Sequence, residues 1–182
     1  MDKRYNPTEV EEKWVDIWSK NVFFNKDAKN TFSQVIPPPN VTGTLHMGHS
    51  FQYAIMDFYT RYNHISGKKS HWQVGTDHAG IATQLVVENN LSKKNISRLQ
   101  LGRDEFLNEV WKWKDFSEEK IQSQIKRLGA SVDWSKYRFT LDERFSKTVN
   151  KAFIDLYRSN KIYRGYRSVS YTHLTLPTKE EV

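Results

Sequence analysis

Pro37-Pro38-Pro39-Asn40-Val41-Thr42-Gly43-Thr44-Leu45-His46-Met47-Gly48-His49 is the stretch whose reading decides the fold, because it joins a rigid loop, a glycine and two imidazoles to a helix start. The apolar run ahead of it, Phe32-Ser33-Gln34-Val35-Ile36, predicts a short buried strand. Three consecutive prolines then fix φ, so the chain leaves the strand end on one defined path. Gly43 has no Cβ and lets backbone approach a ligand. From about Leu45 onward the pattern predicts a helix whose first N–H groups and positive dipole end suit an anion. His46 and His49, three residues apart, share one face of its first turn. Strand, locked turn and anion-binding helix start together predict a grip for a nucleoside triphosphate.

The same helix carries Phe51, Ala54, Ile55, Phe58, Tyr59 and Tyr62 at helical spacing, an apolar stripe that predicts packing onto a sheet. His-x-Gly-His is a short motif, and its weight comes from this context. Taken alone, His46 and His49 also read as helix-cap and surface residues. No metal site is expected, because cysteine is absent and no further His, Asp and Glu cluster at ligand spacing.

Outward from the signature the pattern alternates between helix and strand. Asn6-Pro7-Thr8-Glu9 predicts a helix start, with Asn as N-cap, Pro at the first helical position and Glu three residues after the cap, ahead of Val10, Trp14, Ile17 and Trp18. Residues 69–74 predict a second strand, and Gly75-Thr76-Asp77 leave its C-terminal end, where ligands of parallel α/β sheets bind. A helix is expected over 81–90, a longer charged helical region over 103–128 bent near 115–117, and an amphipathic helix over 143–160. Residues 162–164 and 167–169 read as short extended segments. Neither an internal repeat nor a low-complexity linker is visible.

At 182 residues, with 37% apolar and 14% aromatic content, the chain holds one domain's worth of core and is not a disordered tail. No stretch reaches membrane-spanning length and no signal-peptide segment opens the chain, so a cytoplasmic protein with no membrane partner is expected. The absence of cysteine excludes disulfides. A net charge of +7 and a pI near 9.5 favour polyanionic partners. Lys68-Lys69, Lys93-Lys94 and Lys126-Arg127 are scattered, however, and each reads as a solvated face rather than a nucleic-acid contact.

The run Pro37 to His49 resembles the signature of the valyl-tRNA synthetases, class I aminoacyl-tRNA synthetases. Gly75-Thr76-Asp77-His78-Ala79-Gly80-Ile81-Ala82-Thr83-Gln84 resembles the second fingerprint of that family. Gly102-Arg103-Asp104-Glu105-Phe106, Trp111-Lys112-Trp113-Lys114, Arg127-Leu128-Gly129-Ala130-Ser131-Val132-Asp133-Trp134 and Arg138-Phe139-Thr140-Leu141-Asp142-Glu143 follow in the family's order. The likeness covers about residues 5 to 169. It departs at Ser117, Glu118 and Glu119, where glycines are usual, and after residue 169.

The resemblance implies the first half of a Rossmann-like, doubly wound parallel-sheet catalytic domain over 31–169, preceded by a helical segment over 1–30. Residues 170–182 fit no part of the family pattern and are expected to be artefactual. The implied chemistry is that of a valine–tRNA ligase: the valine carboxylate attacks the α-phosphate of ATP to give valyl-adenylate and pyrophosphate, and a ribose hydroxyl of tRNA(Val) then takes the valyl group. ATP enters as a substrate, as Mg-ATP, with no tightly bound cofactor. On this resemblance Thr44, His46, Gly48 and His49 bind ATP, and His46 and His49 are the catalytic donors. Pro38, Asn40 and Asp77 line the amino-acid site, with the Asp77 carboxylate on the substrate ammonium. Asp77 also reads, as the lesser alternative, as an Asx-type cap of the helix that follows. The chain is then an N-terminal fragment lacking the editing, lysine-loop and anticodon-binding regions. Two further readings are another HxGH nucleotidyltransferase and a non-catalytic synthetase-like nucleotide-binding or interaction protein.

Overall fold

Strand β1, Thr31–Val35, lies parallel to β2, Lys69–Gln73, in the register Thr31–Lys69 to Val35–Gln73. The computed structural model describes residues 5–20 and 28–165. β3, Gly75–Thr76, continues β2 after Val74 and pairs in parallel with β4, Arg138–Phe139. Successive carbonyls of a strand point to opposite edges, and here the Gln73 carbonyl accepts from Ile36 N–H (2.9 Å) while the Val74 carbonyl accepts from Arg138 N–H (3.2 Å). One run of chain therefore carries β1 on one edge and β4 on the other. Gly75 makes the second edge sterically allowed, because a Cβ there would stand 2.4 Å from the Arg138 carbonyl oxygen. The expected strand at 69–74 is present, whereas β4 is too short to have shown a period of its own.

Helix α1, Pro7–Lys20, starts as the sequence predicts: Asn6 Oδ1 accepts from Thr8 N–H (3.2 Å) and Asn6 Nδ2 donates to Glu9 Oε1 (2.8 Å). α2, Met47–Ile65, connects β1 to β2, and α3, Gly80–Ser92, follows β3. α4, Arg98–Arg127, returns the chain through a 3₁₀ turn, Trp134–Lys136, to β4. The bend expected near 115–117 is absent. The only non-helical residue within α4 is Gly102 (φ 76°, ψ 171°), and Ser117 sits buried mid-helix.

The core consists of Ile36, Trp72 and Val74 from the strands, Tyr53 from α2, and Ile121 and Ile125 from α4, so both helices cover the same sheet face. A second cluster, Val87, Leu91 and Phe106, joins α3 to the start of α4. On the opposite face of the sheet Thr31, Ser33 and Val35 are exposed.

The apolar stripe on α2 does not pack onto the sheet. Phe51, Ala54, Ile55, Phe58, Tyr59 and Tyr62 are all exposed, Phe51 at 71% and Phe58 at 64%. The sheet-facing row is Tyr53, Met56, Thr60 and Asn63 instead. Polar anchors set this rotation. Gln34 Nε2 donates to the Met56 carbonyl (2.6 Å) and to Thr60 Oγ1 (2.5 Å), Asp57 Oδ1 accepts from Ser131 N–H (2.8 Å), and Arg61 donates to the Gly129 carbonyl (2.7 Å). Leaving such buried groups unpaired costs about 1–3 kcal/mol each, comparable to the gain from burying one large apolar side chain.

The described residues from 146 onward, most of helix α5, Glu143–Arg158, and residues 159–165, belong to a separate compact unit. The helix closes in a left-handed cap at Asn160 (φ 57°), with Lys161 N–H donating to the Leu156 carbonyl (2.9 Å) and Asn160 N–H to the Tyr157 carbonyl (3.0 Å), close to the predicted end. Residues 162–164 form no strand ladder, and 167–169 and 170–182 lie outside the described residues.

Candidate active site

The C-terminal ends of β1 and β3 meet through the signature loop. Asn40 and Asp77 form a parallel bridge, in which Asp77 N–H donates to the Pro39 carbonyl (2.8 Å) and Val41 N–H to the Asp77 carbonyl (3.0 Å). The prolines have no N–H, so no strand ladder can run through 37–39 and the pairing resumes only at Asn40. Pro38 and Asn40 stand exposed, and Pro39 is buried. The structure thus brings the backbones of Asn40 and Asp77 together.

Thr44 is exposed just before α2. His46 is the N-cap of α2 rather than a residue of its first turn: its backbone is extended (φ −119°, ψ 175°) and its Nδ1 accepts from Gly48 N–H (3.1 Å). His49 returns the contact, its Nδ1 accepting from His46 N–H (3.2 Å), which completes a capping box. The two rings lie 3.9 Å apart, centroid to centroid. Both Nδ1 atoms are acceptors, so each neutral imidazole carries its proton on Nε2. The cap therefore leaves two Nε2–H donors at a helix N-terminus, beside free helical N–H groups. Burial, and then repulsion from His46, lower the His49 pKa and favour this neutral form. Gly48 makes room for the cap itself, since a Cβ there would lie 2.9 Å from His46 Cε1 and 3.0 Å from Nδ1. Gly43 has no protein atom within 4 Å of its missing Cβ, open space on which a ligand could lie.

Asp77 caps the following turn through one oxygen. Oδ1 accepts from Ala79 N–H (3.0 Å) and from Thr140 Oγ1 (3.1 Å), with His78 Nδ1 at 3.3 Å. Thr140 has one hydroxyl proton, which it gives to Asp77. It must therefore accept from His78 N–H (2.9 Å) and from His78 Nδ1–H (2.6 Å), fixing the tautomer of that ring. The bonds to the Asp77 carboxylate from the described residues all reach Oδ1, and the side chain is about 38% exposed. The Asx-cap reading is realised.

Glu118 gathers three donors: Thr76 Oγ1 (3.1 Å), the Tyr137 hydroxyl (2.5 Å) and Lys114 Nζ (2.6 Å). Burial, reinforced by the Glu118 carboxylate, raises the Tyr137 pKa and keeps its proton in place as a donor. Sequence reasoning gave Thr140, Glu118 and Tyr137 no site role, although Thr140 lies in the run Arg138 to Glu143 that follows the family's order. Glu118 stood out only as a departure from a glycine. Far from loosening a loop, it pins the end of β3 next to Asp77. Among the described residues no group of three or more His, Cys, Asp and Glu could hold a metal ion, and no helix is long and apolar enough to cross a membrane.

Parallel strands feeding a capped, imidazole-bearing helix start, with a carboxylate on the neighbouring strand end, match a family. Residues 11–178 match the sequence model of tRNA synthetases class I (I, L, M and V), and the chain belongs to that family. Within it, the similar curated relatives are valine–tRNA ligases. That of Acinetobacter baylyi is 52% identical over 168 residues, covering 92% of this chain and 17% of the relative. That of Francisella tularensis is 51% identical over 174 residues, covering 94% and 19%. The chain thus spans less than a fifth of the length of these relatives. Among solved structures, LeuRS of Agrobacterium radiobacter K84, in ternary complex with tRNA and LeuAMS, superposes with a TM-score of 0.66 at 20% identity, covering 89% of this chain and 19% of that one. That likeness shows the Rossmann-like fold of the class.

Proposed function

We propose that the chain is the part of a valine–tRNA ligase that receives ATP and valine, with residues 31–169 as the first half of the catalytic domain and the segment carrying α1 ahead of it. The observation that carries this reading is the capping box of His46 and His49, which spends both Nδ1 atoms on the helix and leaves both Nε2–H groups to donate. His46 and His49 then stabilise charge on the triphosphate as valine attacks the α-phosphorus, an electrostatic role that requires no covalent intermediate. Thr44 and Gly48 lie along the same nucleotide. Pro38 and Asn40 line the amino-acid and adenylate site. Asp77 Oδ2 takes the valine ammonium in a charge-assisted bond, while Oδ1 stays on Ala79 and Thr140. ATP serves as substrate, its magnesium carried by the phosphates rather than by a protein cage. Transfer of the valyl group to tRNA(Val), in the cytoplasm, belongs to the complete enzyme.

Calorimetric titration of Mg-ATP and of valine into the 182-residue chain tests the reading. Binding of both, with ATP lost and valine kept in a His46→Ala/His49→Ala double variant, is expected. Loss of neither ligand in that variant refutes the assignment of the histidines.

A further inference from the structure

Helix α4 lies along the signature loop and touches it at alternate residues. Trp113 Nε1 donates to the Val41 carbonyl (2.9 Å), Ser117 Oγ donates to the Gly43 carbonyl (3.0 Å), and Gln124 Oε1 accepts from Leu45 N–H (2.9 Å). The spacings fit. Four residues of helix rise about 6 Å and two residues of extended chain span about 7 Å, so Trp113 and Ser117 can meet Val41 and Gly43 without distortion. From Ser117 to Gln124 the helix rises about 10 Å, more than the two residues from Gly43 to Leu45 can cover, and the long Gln side chain closes the difference. Trp113 and Gln124 are half-buried and Ser117 is about 1% exposed, so these are shielded bonds rather than solvent-facing ones.

Beyond the burial of Val41 and the packing of Leu45 against the core, the loop has few other means of holding its shape. Its regular pairing ends at Val41, whose N–H meets the Asp77 carbonyl, and the α2 box begins only at His46. Between those two points the three side chains of α4 supply the partners. We propose that Trp113, Ser117 and Gln124 are positioning residues: α4 is a splint that sets the path of residues 41–45 and through it the placement of His46 and His49 before the nucleotide. The inference rests on the nucleotide reading of that site for its ligand, but not for its geometry.

The test uses the whole 182-residue chain in four forms: parent, Trp113→Phe, Gln124→Met, and the exposed α4 control Ser123→Ala. Trp113→Phe keeps an aromatic ring and removes the N–H; Gln124→Met keeps the length and removes the acceptor. Amide hydrogen exchange at Leu45 is expected to quicken about two- to tenfold in both variants, the range that follows from losing one net hydrogen bond. The amides of Ile121 and Ile125 in the core of α4 should keep the parent rate, a separation that a general loss of stability would not produce. Mg-ATP affinity should fall by a similar factor in the same two variants and hold in Ser123→Ala. Unchanged exchange at Leu45 overturns the splint, and so does quickened exchange with undiminished ATP affinity. Should the parent bind no ATP, the nucleotide reading of the site fails and the exchange result alone decides the splint.

Discussion

His46 can be asked separately what it does for the helix and what it does for a ligand, because the two tasks fall on different atoms. Nδ1 caps α2 by accepting from Gly48 N–H at 3.1 Å, whereas Nε2–H faces outward. Asparagine is among the best N-cap residues and offers an acceptor at similar reach, but it cannot place a donor where Nε2 stands. His46→Asn should therefore keep the cap and lose the ligand contact, while His46→Ala loses both. The half of the box that runs from His46 N–H to His49 Nδ1 uses backbone and survives in either variant. Removing only the side-chain half costs about 1 kcal/mol, and in a domain of this size that lowers the melting temperature by roughly 2–4 °C. Thermal unfolding followed by circular dichroism should thus place His46→Asn with the parent and His46→Ala a few degrees below. Mg-ATP titration should group them differently, with both variants weaker than the parent by about tenfold or more, the scale of one hydrogen bond to a charged group. Undiminished ATP affinity in His46→Asn means that the imidazole is a cap and nothing else. A melting point for His46→Asn as low as that of His46→Ala means that the cap was misread.

Asp77→Asn should leave the melting temperature near that of the parent, since the amide oxygen still accepts from Ala79 N–H, yet weaken valine binding by roughly 10- to 100-fold; early melting with intact valine affinity reduces Asp77 to a cap. Gly75→Ala drives a methyl group against the Arg138 carbonyl oxygen, 2.4 Å away with backbone on both sides, and the overpacking should cost about 1–3 kcal/mol, read as a lower urea midpoint. The pH dependence follows from His49, whose pKa lies below the ordinary 6.5 because of burial and the neighbouring His46. Below pH 6.5 the unfolded chain takes up this proton before the folded one does, so stability should decline as pH falls through that window and level off below the folded pKa. Melting curves across the window should show a shallower decline for His49→Gln than for the parent, and parallel curves would remove His49 as the cause.

Local signals were legible in the sequence where local physics decides the outcome. The Asn6-Pro7 helix start and the turn at the end of α5 rest on one residue's capping chemistry, and they and the strand at 69–74 stand where the sequence predicts them. The rotation of α2 was not legible. Its apolar count favours the row from Phe51 to Tyr62, but Gln34, Ser131 and the Gly129 carbonyl, 22 to 74 residues from their α2 partners along the chain, turn the other row inward. Periodicity measures which faces a helix has and is silent on which polar partners the neighbouring elements hold out to it. Gly102 kinks α4 while Ser117 does not, for a similar reason: the hydroxyl of Ser117 is occupied by Gly43, a partner 74 residues distant.

The same distinction governs the site. His46, His49, Asn40 and Asp77 were visible because they fall within two short runs whose order carries information by itself. Their supports, Trp113, Ser117, Gln124 and Thr140, come from α4 and from the residue after β4, and each acts on a backbone group or on one carboxylate oxygen. A contact to backbone places no demand on the identity of the residue contacted, so it leaves no trace in the run it supports. For the histidines and Asp77 alike, the sequence posed cap against ligand as competing readings. Imidazole and carboxylate each have two polar atoms, and the fold assigns one to holding the turn. The cap fixes the direction of the other, so the cap reading and the ligand reading are compatible rather than rival.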